Sequence, residues 1–102
     1  MQELIREREV EGYLRRRVED LGGTCDKFIP DNKPGMPDRI VMLPGGVLVW
    51  VETKRPKGGR LSELQKLRHR QLRALGQRVE VAWTKEQADA LLLALAPAGP
   101  RP

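Results

Sequence analysis

The sequence has few of the features that would cross-link the chain or place it in a membrane. Its single cysteine, Cys25, cannot form a disulfide within the chain, which favours a reducing compartment. No apolar run approaches the roughly 18 residues that span a bilayer. The N-terminal stretch MQELIRERE also lacks the apolar core of a signal peptide. We therefore expect a cytoplasmic protein with no membrane partner.

Aromatic residues and histidine are also scarce. The aromatic side chains are Tyr13, Phe28, Trp50 and Trp83, too few to predict stacking on single-stranded bases. The one histidine, His69, lies among Arg68, Arg70 and Arg73, so we expect it on the surface or facing a nucleic acid. With so little histidine available as an activating base, Cys25 is expected to be a buried strand residue rather than a nucleophile.

Charge is the most abundant feature that remains. The chain has 102 residues, of which 32% are charged, and its net charge is +5. The length fits one compact domain, and the basic excess favours a polyanionic partner. Residues 1–96 are therefore expected to form a single domain, followed by a flexible tail over 97–102.

Hydrophobic periodicity and turn residues predict an α/β domain with the order α-β-β-β-α-β-α. Helices are expected where apolar residues recur at helical spacing, and strands where they alternate or run together between turn formers. The predicted helices cover 2–21, 62–75 and 84–96, and the predicted strands cover 24–29, 38–43, 47–53 and 78–83.

The PGG turn between the second and third strands brings two acids together. Pro44 suits the first turn position and Gly46 the left-handed position of a three-residue loop, which would pair Leu43 with Val47. Asp38 then lies opposite Glu52, on the same face of the sheet. Lys54, two residues further on, points the same way. A two-residue loop would shift the register and separate the acids.

Two like charges in opposing sheet positions destabilise the sheet unless a cation lies between them. Two carboxylates on rigid strands, with positions left for water and a phosphate oxygen, suit Mg²⁺ or Mn²⁺. Lys54 could hold the attacking water or a phosphate oxygen. The alternatives are that Asp38 simply begins a strand and that Glu52 and Lys54 form an ordinary ion pair.

These residues also resemble a known family. Asp38 followed by Glu52-Thr53-Lys54 is similar to the PD-(D/E)xK nuclease signature, and Pro37 completes its "PD". More narrowly, GMPDR…VETKRPKGGRLSELQ resembles the virus-type replication-repair nuclease domain, VRR-NUC, whose small members occur in phages and bacteria. The resemblance covers about residues 7–95. It implies a restriction-endonuclease-like core with a mixed central sheet and a metal-dependent endonuclease activity on DNA.

The resemblance also implies roles for individual residues. Asp38 and Glu52 would bind the metal, with the carbonyl of Thr53 as a third ligand, and Lys54 would be the catalytic lysine. Gln65 would be the glutamine of the following helix, although Ser62-x-x-Gln65 is equally a capping box. The first-helix glutamate of the family corresponds to Glu7, which shares an arc with the apolar residues of that helix, and Glu11 is its rival.

The partner expected from these features is duplex or branched DNA. Basic residues flank the predicted site and suit phosphate contacts: Lys33, Arg55, Lys57, Arg60, Lys66, Arg70 and Arg73. The resemblance implies a homodimer that cuts branched, Holliday-junction-like DNA in repair, and the apolar helix from Lys85 to Ala96 is the candidate interface. Two other classes stay open, a non-catalytic DNA-binding module and an assembly protein whose basic face meets an acidic partner.

Overall fold

The computed structural model describes residues 5–95, and in these residues three helices flank a four-stranded sheet. In chain order the elements are α1 (Glu7–Asp20), β1 (Thr24–Lys27), β2 (Arg39–Leu43), β3 (Val47–Thr53), α2 (Glu63–Ala74), β4 (Val79–Ala82) and α3 (Lys85–Leu95). The predicted order and the α/β fold class are confirmed. The predicted tail at 97–102 lies outside the described residues.

The sheet is mixed and has the order β1-β2-β3-β4. The first two pairings are antiparallel, and β3 pairs with β4 in parallel through the crossover that contains α2. The β2–β3 register runs from Arg39 opposite Val51 to Leu43 opposite Val47, as the PGG turn predicts. Gly46 has a φ of 79°, the left-handed conformation that this turn requires.

Alternation along the strands gives the two faces of the sheet different environments. One face packs against α1 and α3 and forms the hydrophobic core. That core contains Val10, Leu14 and Val18 from α1, Val41, Val49 and Val51 from the sheet, and Ala88, Leu91, Leu92 and Leu95 from α3. The buried Cys25 belongs to the same core, as predicted, and burial raises the pKa of its thiol to about 11. The opposite face carries α2 and the residues of the candidate site.

The first helix begins later than predicted. The expectation was a start at residue 2, but α1 begins at Glu7, and residues 1–4 lie outside the described part of the chain. Arg6 has an extended backbone, and its N–H donates to the Glu9 carboxylate at 3.4 Å. The first buried residue of the helix is Val10. Packing at Val10 stabilises the helix for about one turn before it, back to Glu7, and not as far as residue 2.

The first strand ends earlier than predicted, at Lys27 rather than at residue 29. The Phe28 N–H still donates to the Asp38 carbonyl, at 2.9 Å, but Pro30 has no N–H to extend the ladder. Phe28 instead packs edge-on against Trp50, with ring centroids 5.3 Å apart. In the described range, 5–95, no helix is long and apolar enough to cross a membrane.

Candidate active site

Asp38 and Glu52 lie at the same level of the β2–β3 hairpin. Glu52 is inside β3, and Asp38 immediately precedes β2, where the observed register places it opposite Glu52. Burial, together with the negative charges of Glu52 and Glu11, raises the pKa of Asp38 to about 6. The site therefore resists holding both carboxylates in the charged form without a compensating positive group.

Each of the two carboxylates has a buried oxygen that lacks a hydrogen-bond partner among the described residues. These atoms are Oδ1 of Asp38 and Oε1 of Glu52. Buried acceptors of this kind are costly unless a donor or a cation satisfies them, so the pair fits a divalent cation. Within residues 5–95 no group of three His, Cys, Asp or Glu side chains is placed to hold a metal. Water and substrate would have to complete the coordination, as they commonly do for Mg²⁺.

A cavity of about 320 Å³ brings the sequence-predicted catalytic residues together. Its wall includes Glu7, Asp38, Glu52, Lys54 and Gln65, which come from α1, the hairpin and α2, and also the predicted DNA-binding residue Lys33. Thr53 is the exception. It is fully buried and does not line this cavity. We refer to this cavity as the catalytic cavity, after the roles predicted from the sequence for the residues that line it.

Gly35 explains the glycine of the GMPDR stretch. Its φ is 85°, and a Cβ placed there would lie 2.7 Å from Cγ of Leu64 and 3.1 Å from the Leu64 carbonyl oxygen. The loop before Asp38 therefore approaches α2 more closely than any side chain allows. This contact brings Asp38 and Gln65 to the same cavity.

Gln65 takes part in both arrangements that the sequence allowed. The Ser62 N–H donates to Gln65 Oε1 at 2.8 Å, and the Gln65 N–H donates to Ser62 Oγ at 3.0 Å, which completes a capping box. The same glutamine lines the catalytic cavity. The cap holds the side chain in place at the beginning of α2.

The structure separates the two candidate glutamates of α1. Glu7 lines the catalytic cavity, whereas Glu11 forms an ion pair with the buried Arg39. Arg39 also donates to the Cys25 carbonyl at 3.1 Å, so this pair ties α1 to β1 and β2 directly beside Asp38. Sequence analysis missed Arg39, although its place next to Asp38 in a buried strand was a signal.

His69 is not on the surface, and the prediction that it would be exposed or face DNA is wrong. Its side chain is 2% exposed, and Nε2 lies 3.5 Å from Oε1 of Glu52. Its neighbour Arg70 is exposed, and Arg68 is half-buried and donates to the Pro34 carbonyl at 2.9 Å. His69 itself is one turn from Gln65 and from Leu72, on the inner side of α2. That spacing was the available signal.

A second and larger cavity, of about 970 Å³, adjoins the first. It lies between the start of α1 and the loop after β3, and Glu7 and Lys54 line both cavities. Its charged lining residues are the basic Arg6, Arg8, Lys54, Arg55, Lys57 and Arg60 and the acidic Glu7 and Glu9. We call this cavity the basic groove. Arg6 and Arg8 were not predicted.

The remaining predicted DNA-binding residues lie on α2 and line neither cavity. Lys66 forms an ion pair with Glu63 at 2.9 Å. Arg73 donates to the Val79 carbonyl at 2.9 Å and so supports β4. Arg70 is exposed. The structure therefore brings Lys33, Arg55, Lys57 and Arg60 to the two cavities and leaves these three outside.

Comparison with known proteins agrees with this geometry. The chain is 38% identical over 88 residues to "Putative nuclease p44" of Acyrthosiphon pisum secondary endosymbiont phage 1, a match that spans 86% of this chain and 94% of that protein. A solved structure described as a VRR_NUC domain superposes with a TM-score of 0.83. It is 32% identical to this chain and covers 88% of it, and 97% of the solved chain is matched. No family model matches the sequence.

Both matches extend over most of the chain. Their sequence identities, 38% and 32%, are above the level at which a likeness shows only a shared fold. The α-β-β-β-α-β-α order of the chain fits that VRR_NUC domain. The chain belongs to the VRR-NUC family of nucleases.

Proposed function

We propose that this nuclease is a metal-dependent endonuclease that hydrolyses phosphodiester bonds in DNA. The observation that carries the proposal is the meeting of two carboxylates, Asp38 with a buried unpartnered oxygen and the buried Glu52, with Lys54 at one cavity. An ion pair between Lys54 and an acid does not explain this arrangement, because Oδ1 of Asp38 is buried without a hydrogen-bond partner and the pKa of Asp38 is raised rather than lowered.

Asp38 and Glu52 would hold Mg²⁺ or Mn²⁺. Hard carboxylate oxygens suit these ions, and the negative charge of Glu52, which helps to raise the pKa of Asp38, would also favour a cation between the two side chains. When bound, such an ion polarises the phosphodiester and makes a coordinated water more acidic. We assign the ion to the two side chains, since Thr53 does not line the cavity.

Lys54 would neutralise charge that develops on the phosphate and hold the attacking water by hydrogen bonds from its ammonium group. It lies two residues after Glu52, immediately past the end of β3, and both residues line the cavity. Gln65 and Glu7 would support the site from the two flanking helices. The cap at Ser62 keeps Gln65 from moving freely.

The basic groove would bind the DNA backbone next to the catalytic cavity. Six basic and two acidic side chains line it, and Lys54 belongs to both cavities. Such a surface neutralises successive phosphates without reading the bases. Lys33 would contact the backbone on the other side of the scissile phosphate, since it lines the catalytic cavity and not the groove.

Branched DNA is the substrate class that we propose, with a homodimer placing two sites on one junction. One catalytic cavity serves one strand, and a junction offers two equivalent strands. Two-fold symmetric dimers are the commonest homo-oligomers and would set two sites at a fixed spacing. Readout of backbone shape rather than of bases also suits a substrate defined by its branching.

The direct test is cleavage of a DNA panel by the purified protein. Four-way junctions, flaps, splayed arms and linear duplex of matched sequence are incubated with Mn²⁺, with Mg²⁺ or with EDTA. We expect Mn²⁺ or Mg²⁺ to support cuts within the strands and EDTA to abolish them, with the junction cut fastest. Lys54→Ala should bind DNA and fail to cleave it, because binding depends on many phosphate contacts. Undiminished cleavage by Lys54→Ala, or in EDTA, would refute the mechanism.

A further inference from the structure

His69, the one histidine of the chain, is buried against a proposed metal-binding carboxylate. The side chains of His69 and Glu52 are 2% and 5% exposed, and Nε2 lies 3.5 Å from Oε1. Both atoms are buried and have no hydrogen-bond partner among the described residues. The distance is just outside the usual range, so a small rotation of either side chain would give each atom the partner that it lacks.

We propose that His69 is a positioning residue that donates a hydrogen bond from Nε2–H to Oε1 of Glu52, an inference that rests on the proposed metal-dependent function. The bond holds the carboxylate in one rotamer, with Oε1 against α2 and the second oxygen left for the cavity. Partners of this kind orient the side chains that bind a metal and commonly matter nearly as much as the ligands themselves.

The chemistry of this position favours histidine over other donors. A neutral imidazole with its proton on Nε2 donates a hydrogen bond and adds no positive charge beside the place of the cation. Lysine or arginine would bring a fixed charge that competes with the metal for the carboxylate. Gln65, one turn earlier, has its side chain held in the cap of α2, where its Oε1 accepts from the Ser62 N–H at 2.8 Å.

The tautomer of His69 tests the hydrogen bond without any metal. Because the chain has one histidine, nitrogen-15 NMR of the uniformly labelled, metal-free protein shows a single imidazole. The two ring nitrogens give distinct signals according to which one carries a proton. We expect a protonated Nε2. A bare Nε2 with the proton on Nδ1 alone would put two acceptors against each other and would overturn the proposal.

Two substitutions test the consequence for metal binding. His69→Leu keeps apolar bulk and removes the donor, whereas His69→Gln keeps a donor of similar reach. We expect Mn²⁺ affinity, measured by calorimetry, to fall about 10–100-fold in His69→Leu and to recover largely in His69→Gln. A His69→Leu protein with the parent's affinity, or a His69→Gln protein as weak as His69→Leu, would overturn the proposal.

Leu72→Val is the matched control for packing. Leu72 is buried on the same helix, one turn further on, and does not line the catalytic cavity. The Leu72→Val variant should have lower thermal stability and unchanged Mn²⁺ affinity. A loss of Mn²⁺ affinity equal to that of His69→Leu would show that α2 packing alone is responsible. If His69→Leu does not fold, His69→Gln and the NMR result decide.

Measurements on the parent protein and on His69→Leu distinguish a failure of the proposed function from a failure of the positioning role. A parent protein that neither binds Mn²⁺ nor cleaves DNA refutes the proposed function. A parent that does both, with His69→Leu unchanged in Mn²⁺ affinity and in kcat, refutes only the positioning role. A fall in kcat with KM for DNA unchanged is expected, because His69 lies away from the basic groove.

Discussion

Asp38 carries an electrostatic cost in the folded protein, which its raised pKa shows. Burial is the main cause of its raised pKa, and the nearby Glu52 and Glu11 add to it. Arg39 is the adjacent residue, but its guanidinium is used by Glu11 and by the Cys25 carbonyl. Arg39 is therefore not paired with Asp38, and we expect the metal-free protein to show the resulting instability.

Asp38→Asn should remove a pH dependence from the stability of the metal-free protein. The pKa of Asp38 is raised from its ordinary value of 3.8 to about 6 in the folded protein, so Asp38 keeps its proton to higher pH in the folded state than in the unfolded one. The stability of the parent should then fall as pH rises from about 4 through about 6. Urea unfolding at pH 5 and pH 8 measures this fall.

We expect the Asp38→Asn protein to lose less stability between these two pH values, and to equal or exceed the parent at pH 8. Its Mn²⁺ affinity should be lower, because a neutral amide is a poorer ligand for a hard cation. Clear destabilisation of metal-free Asp38→Asn at pH 8 would instead mean that Asp38 has a structural role, such as capping a turn.

At the scale of elements, the site depends on how closely the loop before β2 approaches α2. Gly35 makes this approach possible through its positive φ and its missing Cβ. The atoms in the way include the backbone carbonyl of Leu64, so the helix itself would have to shift to accept a side chain. A shift of α2 would move Gln65 and His69 relative to Glu52.

Gly35→Ala should therefore cost more stability and more activity than a backbone effect alone. Gly76→Ala is the matched control, since Gly76 has a φ of 83° and open space around its Cβ position. The left-handed backbone should cost about 1–2 kcal/mol in both variants, and overpacking should add about 1–3 kcal/mol in Gly35→Ala. Denaturant unfolding and DNA cleavage measure the two effects. Equal losses in both variants would show that the contact with Leu64 is unimportant.

At the scale of the whole molecule, two cavities and one apolar helix determine how DNA and a second subunit could be arranged. The basic groove leads from the start of α1 to Lys54. Helix α3 turns Leu91, Leu92 and Leu95 into the core and leaves Leu93 80% exposed. The domain therefore covers most of this apolar helix itself, and only a narrow stripe is available to a partner.

Arg8→Ala should weaken DNA binding in a salt-dependent way that is uniform across sequences. Each lost phosphate contact lowers the slope of log K against log salt by about 0.9. Arg78→Ala is the control, because Arg78 is exposed and precedes β4, whereas the Lys54 N–H donates to the Ala82 carbonyl at the other end of β4. Fluorescence anisotropy at several salt concentrations gives both slopes. An unchanged slope for Arg8→Ala would exclude the groove as the DNA path.

Leu93→Glu should give a folded monomer if α3 forms the dimer interface. Leu92→Glu is unsuitable for this test, since Leu92 is 3% exposed and a charge there would unfold the core. Light scattering at tens of micromolar should show a dimer for the parent. The matched control is Met42→Glu. Met42 is exposed beside Leu48 on the face of the sheet that does not pack against α1 and α3. A monomeric parent, or a dimer that only Met42→Glu dissociates, would exclude α3.

The sequence alone determined the features that depend on neighbours along the chain. The PGG turn and the period of two in the strands set the β2–β3 register, and hence the pairing of Asp38 with Glu52, because hairpin geometry is local. Helical spacing located the three helices, and their order followed. Cys25 was expected in a buried strand and is there.

The tertiary structure decided the contacts between elements that lie far apart in sequence. His69 faces Glu52, Arg39 pairs with Glu11, and Arg8 joins the wall of the basic groove only because the helices pack in particular positions on the sheet. The arginines around His69 in sequence suggested an exposed stretch of helix. Whether His69 is buried depends instead on which face of α2 packs against the sheet. The predicted start of α1 was wrong for the same reason, because packing at Val10 rather than helix propensity determines where the helix begins.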